Sequence, residues 1–252
     1  MARPDTIKNR ECKEESVLGA LFSILVPPVC TLCNEDIVDH ILCAGCSEEF
    51  EKERLTGPAC PLCSEPFLSK ETLAHTCTEC AAHTPPFVQA TSLYLYRGQV
   101  LEALHGLKYR GTTKVARPLG LLLSEEIKRM DRPPDVIVPV PLHTKRLQKR
   151  SFNQSVLMAR VCSNSLAIPL DYKGLMRVRD TGAQVGLSRA ERAKNIKGAF
   201  ALADAELYRG KNVLLIDDVY TTGATMRECA TLFKAAGAAT YGLTLARAAK
   251  FS

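Results

Sequence analysis

Two adjacent carboxylates followed by a loop of small hydroxyl residues form the part of this sequence best equipped for chemistry. Asp217 and Asp218 follow four apolar residues, 213–216, and precede the segment TTGAT at residues 221–225. In a strand–loop–helix unit, the loop and the helix N-terminus present backbone N–H groups to a phosphate, and threonine hydroxyls add donors. The carboxylates repel phosphate but suit sugar hydroxyls or a metal ion beside it. This stretch therefore predicts a phosphate site with an acidic pair at its edge.

A second set of chemically capable residues lies in the N-terminal third of the chain. Eight of the eleven cysteines form four C-x-x-C turns, made by Cys30 and Cys33, Cys43 and Cys46, Cys60 and Cys63, and Cys77 and Cys80. Each turn holds two sulfurs at the separation that a tetrahedral ion needs, so two turns complete a four-cysteine site. Eight ligands predict two structural zinc ions in closed sites, which leave no position for a catalytic water. The sequence permits both sequential and interleaved pairing of the turns.

Two other interpretations of the cysteines compete with zinc. A disulfide framework requires export, but the apolar segment 17–26 follows acidic residues where a signal peptide has positive ones. A redox role for C-x-x-C requires a thioredoxin-like βαβ setting, and the four turns lie outside one. Cys162 and Cys229 lie in apolar helical patterns typical of core positions. His75 and His83 are interpreted as surface histidines without a role as ligands.

Composition sets the scale of the molecule and excludes some classes. The chain has 252 residues, of which 46% are hydrophobic, so it has room for one medium domain and a small one. The formal net charge of +6 permits anionic partners without requiring them. No apolar run approaches the ~18 residues of a membrane span, so we expect a cytoplasmic protein. We predict a tail and short helix at residues 1–26, a double zinc ribbon at 27–84 and an α/β domain at 85–252.

A second strand–loop–helix unit precedes the acidic pair in the chain. The apolar run 135–142 leads into a basic segment that we predict as a loop, and a helix follows at residues 154–166. A cationic loop in this position suits a highly charged anion such as pyrophosphate, and the alternative is a solvated basic surface. The cations of this predicted loop include Lys145, Arg146, Lys149 and Arg150.

The remaining elements predict where these loops meet. Strands are predicted at residues 88–96, 170–178, 196–202, 212–219 and 241–246, and further helices at 100–107 and 115–130. Strands alternating with helices indicate a mainly parallel sheet covered on both faces, whose ligands bind at the carboxyl ends of the strands. Residues 179–197 form a long basic segment with Gly182 and Gly186 as hinges, which is typical of a lid.

Residues 213–225 closely resemble the phosphoribosyl-pyrophosphate (PRPP) binding motif of the type I phosphoribosyltransferases. The length and order agree: four apolar residues, two acidic residues and a threonine- and glycine-containing end. The resemblance implies that Asp217 and Asp218 hold the ribose hydroxyls and that magnesium accompanies PRPP. It also implies that the 5′-phosphate is wrapped by Thr221, Thr222, Gly223, Ala224 and Thr225.

From residue 27 to residue 246 the chain resembles the ComF family, competence-associated and phosphoribosyltransferase-like proteins with an N-terminal double zinc ribbon. The matching segments are the cysteine turns, YRG at 96–98, LKYRG at 107–111, VPVPLH at 138–143, RSFNQ at 150–154 and the basic segment 177–200. Ser151 stands where the family usually has glycine, and Tyr220 where an aliphatic residue is commoner. The resemblance implies a type I phosphoribosyltransferase-like α/β fold and a link to DNA uptake, competence or nucleotide metabolism.

Two functions follow as hypotheses. The first is a phosphoribosyltransferase that transfers the phosphoribosyl group from PRPP to an acceptor. The sequence identifies neither the acceptor nor a catalytic base. Pyrophosphate would bind Lys145, Arg146 and Arg150, and the lid would act through Arg179, Arg189, Arg192 and Lys194. The second is a non-catalytic adaptor that binds single-stranded DNA through the same basic segments and contacts competence or DNA-processing proteins. Stacking faces for bases would come from Tyr94, Tyr96, Tyr109 and Phe152.

Overall fold

The computed structural model describes residues 29–37, 42–67, 74–181 and 189–248, and only the backbone of residues 189 and 190. The predicted tail and short helix at residues 1–26 lie outside these ranges, as do the predicted hinges Gly182 and Gly186. None of the helices within these ranges is long and apolar enough to cross a membrane.

A parallel sheet organises the larger part of the molecule. Four strands of the described residues form it in the order β1–β6–β5–β2, and each neighbouring pair is parallel. The remaining two strands, β3 and β4, make a separate antiparallel pair. The bounds are β1 Gln89–Leu95, β2 Val136–Pro139, β3 Leu175–Arg177, β4 Phe200–Leu202, β5 Asn212–Tyr220 and β6 Ala239–Arg247. Because the four strands of the sheet run in one direction, their carboxyl ends meet at one edge.

The helices alternate with the strands of the sheet and also appear in the cysteine-rich segment. Short 3₁₀ turns lie at Thr113–Val115 and Glu206–Tyr208. The helices of the described residues are α1 Ala44–Glu51, α2 Thr78–Ala82, α3 Gly98–Tyr109, α4 Ala116–Ile127, α5 Thr144–Arg150, α6 Gln154–Leu166, α7 Arg189–Ile196 and α8 Ala224–Ala235.

Alternation along β5 divides the core between the two faces of the sheet, because successive side chains of a strand point in opposite directions. Leu214 and Ile216 pack into the cluster that contains α4 and α6, whereas Leu215 packs into the cluster that contains α8. Helices α4 and α6 approach closely at Gly120, where an added Cβ would lie 2.6 Å from Cβ of Val161. The predicted α/β fold with both faces covered is confirmed.

The cysteine-rich segment packs against the outer edge of β1. The backbone N–H of Leu55 donates to the Leu93 carbonyl at 2.9 Å, and the N–H of Leu95 donates to the Glu53 carbonyl at 2.7 Å. An edge strand carries unpaired backbone groups that need a partner, and the ribbon supplies it here. The ribbon and the sheet therefore share hydrogen bonds as well as a core.

The basic segment predicted as a loop is a helix. Helix α5, Thr144–Arg150, begins at His143, whose Nδ1 accepts the N–H of Lys145 at 3.4 Å. The sequence TKRLQKR is rich in good helix formers, but none of its residues is buried. Without a buried face the segment has no apolar periodicity, and that is why the pattern suggested a loop.

Three further boundaries differ from prediction. The strand predicted at 170–178 is reduced to β3 and a single parallel bridge between Leu170 and Ile137 of β2. The strand predicted at 196–202 is reduced to β4, which pairs with β3 outside the main sheet. The segment predicted as an irregular lid contains helix α7, which ends at Ile196. Four of the eight residues of this helix are charged and three of these are basic, so its sequence resembles a basic loop.

The serine that stands where the family usually has glycine has a strained backbone conformation, and this strain can be measured. Ser151 ends α5 with φ 63° and ψ −9°, the left-handed region that favours glycine. We expect Ser151→Gly to raise the free energy of unfolding by about 1 kcal/mol, measured by urea denaturation. Ser151→Ala is the matched control and should give no gain, since alanine keeps the Cβ. A gain in the alanine variant equal to that in the glycine variant would contradict this explanation.

Candidate functional site

The acidic pair lies at the carboxyl end of β5, in the middle of the sheet. The strand continues through both residues to Tyr220, one residue beyond the predicted end, because β6 pairs with it as far as Tyr220 and Arg247. Asp218 is buried and Asp217 is partly buried. The pair therefore stands at the edge where ligands of parallel sheets bind.

A lysine from the family-like segment LKYRG neutralises one of these carboxylates. Lys108, near the end of α3, places its Nζ 2.5 Å from Oδ2 of Asp218, and the side chains are only 14% and 10% exposed. Burial alone would raise the pKa of Asp218, but the Lys108 ammonium holds it below its usual value. The same contact raises the pKa of Lys108 against the opposing effect of burial. The motif LKYRG was the only sequence signal for this residue.

The other carboxylate is held by hydrogen bonds instead of a cation. Ser155 Oγ donates to Oδ1 of Asp217 at 3.1 Å, and the N–H of Asp218 donates to the same oxygen at 2.9 Å. Burial raises the pKa of Asp217 to about 7, and the charge of Asp218 adds to the rise. Ser155 is fixed in the first turn of α6 because Asn153 caps that helix, accepting the N–H of Ser155 at 3.0 Å. The RSFNQ motif thus positions Asp217.

The hydroxyl loop joins the acidic pair to the N-terminus of α8. Gly223 is the residue before this helix and has φ 76°. A Cβ at Gly223 would lie 2.1 Å from the hydroxyl of Tyr220, so both the backbone conformation and the space require glycine. Thr222 Oγ1 accepts the N–H of Ala224 at 3.4 Å. The loop is therefore a tight turn that leads into the first turn of α8, where backbone N–H groups have no partner within the helix.

Basic side chains of α5 and β3 lie near each other, and the arginine of β3 also interacts with the acidic pair. Burial lowers the pKa of Arg177, the charge of Arg146 lowers it further, and the charge of Asp217 opposes both. Nη2 of Arg146 and Nε of Arg177 are buried without a hydrogen-bond acceptor. Lys145 Nζ lies 3.7 Å from the carboxylate of Asp180. Two guanidinium groups with unfulfilled donors are arranged to receive an anion.

Arg177 was not among the residues predicted for the anion site. Its position in the family-like segment 177–200 was the available signal, but Arg177 was assigned only to the predicted strand 170–178, without a role in the site. The structure places Arg177 in β3, where its guanidinium lies 5.4 Å from the centre of the Phe200 ring. Phe200 belongs to β4, so the small antiparallel pair of strands holds this arginine in place.

The predicted lid residues differ in what they contact. Arg179 donates to the carbonyls of Asn195, at 2.9 Å, and Lys197, so its guanidinium ties the two ends of the lid together. Lys194 is exposed on α7. Arg192 is partly buried, and only the backbone of Arg189 is described. In this conformation Arg179 stabilises the lid itself instead of pointing to a ligand.

The eight cysteines gather into two separate clusters. The sulfurs of each cluster lie within 4.8 Å of one another. Tetrahedral zinc with Zn–S bonds of about 2.3 Å separates its sulfurs by about 3.8 Å. Distances of 3.4 Å from Cys33 to Cys43 and 3.7 Å from Cys63 to Cys77 agree with this geometry. The first cluster is Cys30, Cys33, Cys43 and Cys46, and the second cluster is Cys60, Cys63, Cys77 and Cys80.

This arrangement decides the pairing that the sequence left open: it is sequential. His75 and His83 belong to neither cluster, and the ring of His75 stacks on Phe67 with centroids 3.9 Å apart. Cys162 and Cys229 are buried in the core, as predicted. The chain thus has two four-cysteine sites of the kind that binds structural zinc.

Family models match both parts of the chain. The model of the phosphoribosyl transferase domain matches residues 152–248, and the model of the double zinc ribbon domain matches residues 21–86. The fold is therefore that of a phosphoribosyltransferase-like domain joined to a double zinc ribbon.

Curated relatives match over most of their length. The DNA utilization protein YhgH of Salmonella typhimurium is 33% identical over 228 residues, which cover 86% of this chain and 95% of the relative. Competence protein F of Haemophilus influenzae is 29% identical, covering 81% of this chain and 89% of that one. Competence protein ComFC of Bacillus subtilis is 27% identical, covering 83% and 85%. The chain belongs to the ComF family.

Solved structures give a weaker likeness. The match to adenine phosphoribosyltransferase from Leishmania tarentolae covers 53% of this chain and 71% of that enzyme, with 14% identity and a TM-score of 0.36. At this level no residue role is transferred from that enzyme.

Proposed function

We propose that this protein binds PRPP at the carboxyl end of β5 and serves DNA utilization or competence as a phosphoribosyltransferase-like protein of the ComF family. The observation that carries the proposal is the junction of an acidic pair with a glycine-centred hydroxyl loop at the N-terminus of a 12-residue helix. Asp217 and Asp218 hold the two ribose hydroxyls. Residues 221–225 surround the 5′-phosphate with N–H and hydroxyl donors.

The pyrophosphate of PRPP lies against the cations of α5 and β3. Arg146 and Arg177 have buried N–H groups without acceptors, and phosphate oxygens satisfy them. Lys145 and Arg150 lie on the same short helix and add positive charge to it. Magnesium, for which the nearby carboxylates are suitable oxygen ligands, neutralises charge on the pyrophosphate when bound. The lid residues Arg179, Arg189, Arg192 and Lys194 belong to the segment that would exclude water from the bound ligand.

Transfer from PRPP would displace pyrophosphate from the anomeric carbon of the ribose, and the acceptor's bond to that carbon replaces the broken one. The arginines of the pyrophosphate subsite stabilise the negative charge that develops on the leaving group. The cytoplasm, where nucleotides and internalised DNA meet, is the compartment in which we expect this activity, together with DNA-processing partners. A substrate screen with PRPP identifies the acceptor.

A ligand panel tests the site. A ligand that binds only the folded state raises the melting temperature by mass action. With magnesium present, we expect PRPP to raise the melting temperature more than ribose 5-phosphate or pyrophosphate alone, because it occupies both subsites. Equal shifts from PRPP and pyrophosphate would contradict a ribose-phosphate site, and no shift from any of the three would contradict the proposal as a whole.

The arginine that sequence reasoning missed gives a specific prediction. We expect Arg177→Met to weaken pyrophosphate binding roughly 10- to 100-fold, because a charge-assisted hydrogen bond contributes about 1.5–3 kcal/mol. Isothermal titration with pyrophosphate and magnesium measures the change. Arg160→Met, which removes an exposed arginine of α6, is the matched control and should leave the affinity unchanged. Equal affinities for the Arg177 variant and the control would remove Arg177 from the subsite.

An exposed aromatic beside the site favours a second candidate function, binding of single-stranded DNA. Tyr109 is 66% exposed, and the Arg150 guanidinium lies 4.9 Å from the centre of its ring. His105 meets the same ring edge-on at 5.5 Å. Of the other predicted stacking faces, Tyr94 is buried, while Tyr96 and Phe152 are partly buried. A base stacked on Tyr109 would place its phosphates near the cations of α5.

Competition separates the two candidate functions. Fluorescence anisotropy with a labelled single strand at low salt measures DNA binding, which salt should weaken steeply. Lys149→Ala/Arg150→Ala should weaken it, and so should Tyr109→Ala, whereas PRPP should displace the strand only if the two share α5. Absence of DNA binding at low salt would remove the adaptor function.

A further inference from the structure

Two arginines connect the hydroxyl loop with the second cluster of cysteines. Arg227, in the first turn of α8, donates from Nη2 to Sγ of Cys80 at 3.5 Å and from Nη1 to the His83 carbonyl at 2.9 Å. Arg247, the last residue of β6, donates from Nη2 to Sγ of Cys63 at 3.8 Å and from Nη1 to the Cys63 carbonyl. Each arginine therefore contacts a sulfur from a different C-x-x-C turn of one cluster.

The same two arginines hold the two ends of the loop. The backbone N–H of Arg227 donates to the Gly223 carbonyl at 2.8 Å, which closes the first turn of α8 on the loop. Arg247 is the ladder partner of Tyr220, and its guanidinium lies 4.4 Å from the centre of the Tyr220 ring. The hydroxyl of Tyr220 in turn packs on Gly223. Residues 221–223 are thus bounded on both sides by residues anchored to the second cluster.

Charge explains why arginines occupy these positions. A zinc ion with four thiolates carries a net charge of −2, which attracts the two guanidinium groups. The N–H···S contacts also orient the ligand sulfurs, which is the usual effect of outer-shell hydrogen bonds at metal sites. Arg247 is buried and is further paired with the carboxylate of Glu65. Arg247 therefore has two anionic partners, the Glu65 carboxylate and the thiolates of the second cluster.

The first cluster has a different environment. Gln99 of α3 donates from Nε2 to Sγ of Cys46 at 3.4 Å, so an uncharged amide takes the place that an arginine takes at the second cluster. Cys33 of the first cluster is exposed, whereas all four cysteines of the second are buried. The first cluster packs in the core with α3, and the second packs in the core with α8 and Tyr220.

We propose that Arg227 and Arg247 are positioning residues through which the zinc-loaded second cluster fixes the conformation of the hydroxyl loop. Loss of zinc from the second cluster then disorders the phosphate site, whereas loss from the first cluster leaves it ordered. The proposal rests on the proposed function only for the identity of the ligand. The order of the loop is a property of the ligand-free chain and is measured without PRPP.

Hydrogen exchange on the full zinc-loaded chain tests this link. In Arg227→Gln and Arg247→Gln we expect faster exchange in peptides covering residues 220–227 and roughly 10- to 100-fold weaker zinc binding at the second cluster. Zinc release to a chromogenic chelator measures the affinity, and exchange at residues 43–50 and 58–67 identifies the cluster that opens. Gln99→Ala is the matched control, because it removes the N–H···S contact of the first cluster alone. Its loop should exchange as in the wild type.

The outcomes separate positioning from general destabilisation. Unchanged loop exchange in both arginine variants would overturn the proposal, and so would equally fast loop exchange in Gln99→Ala. Arg227→Lys, which keeps the charge with fewer donors, should recover part of the protection if the contact acts through the thiolates. If Arg247→Gln does not fold, Arg227→Gln decides, since Arg227 is only partly buried. A wild type that fails to bind PRPP contradicts the proposed function, and loop exchange still decides this inference.

Discussion

Replacing Lys108 by methionine is expected to lower the free energy of unfolding by about 3–5 kcal/mol, because it leaves the Asp218 carboxylate buried without its counter-ion. Both side chains are largely removed from water, with Nζ 2.5 Å from Oδ2, so solvent does not screen the pair. Urea unfolding at pH 7 measures the loss. Lys128→Met, which breaks an exposed pair with Glu125, is the matched control and should cost less than about 1 kcal/mol.

The loss in the free energy of unfolding of Lys108→Met should become smaller as the pH falls. In the wild type, Lys108 holds the pKa of Asp218 below its usual value, so the stabilisation is present above the ordinary carboxyl pKa and is lost only as the pH falls through the lowered pKa. Without Lys108, burial raises this pKa instead. The loss of stability in the variant should therefore become smaller as the pH falls below 7 and Asp218 binds a proton. Lys108→Met/Asp218→Asn should recover most of the loss, and a pH-independent deficit would contradict the pairing.

Removal of zinc should have the largest effect on the fold. The purified chain should contain about two zinc ions, one for each four-cysteine cluster. Chelation under reducing conditions should unfold the ribbon, since structural zinc contributes roughly 10 kcal/mol or more to the folding of small zinc domains. Because the ribbon covers the edge of β1, the sheet should also lose stability. Limited proteolysis and calorimetry before and after chelation measure both effects.

Restoring zinc should restore the ribbon, which distinguishes metal loss from damage by the chelator. A single zinc ion per chain, or disulfides that persist under reducing conditions, would contradict the two-cluster arrangement.

The acidic pair and its loop could be predicted from sequence because their structure is local. An apolar run, two acids, a glycine and a helix follow one another between residues 213 and 235, so no distant contact is needed to place them. Each cysteine turn is also a local structure. The pairing of the turns is not local, because it depends on which turns pack against the same part of the core. The structure puts the first two turns against α3 and the last two against α8.

The residues that sequence reasoning missed act across the fold. Lys108 reaches Asp218 only because α3 ends above the carboxyl end of β5, and Arg177 faces Asp217 only because β3 and β4 pair outside the sheet. Arg227 and Arg247 contact cysteines that are far away in the chain. Helix α5 was missed for a different reason: its propensity is helical, but it buries no apolar face. The roles of the individual site residues stay predictions until ligand binding is measured.

Isothermal titration of PRPP, with magnesium, into the zinc-loaded chain tests the central claim most directly. We expect saturable binding at one site per chain. Asp217→Asn/Asp218→Asn should bind at least roughly 100-fold more weakly, since two charge-assisted hydrogen-bonding groups are lost. Asp217→Asn alone, which keeps the Lys108–Asp218 pair, guards against loss by unfolding, and Asp131→Asn controls for removal of an exposed acid. Absence of heat in the wild type, or unchanged affinity in the double variant, would contradict PRPP binding at this site.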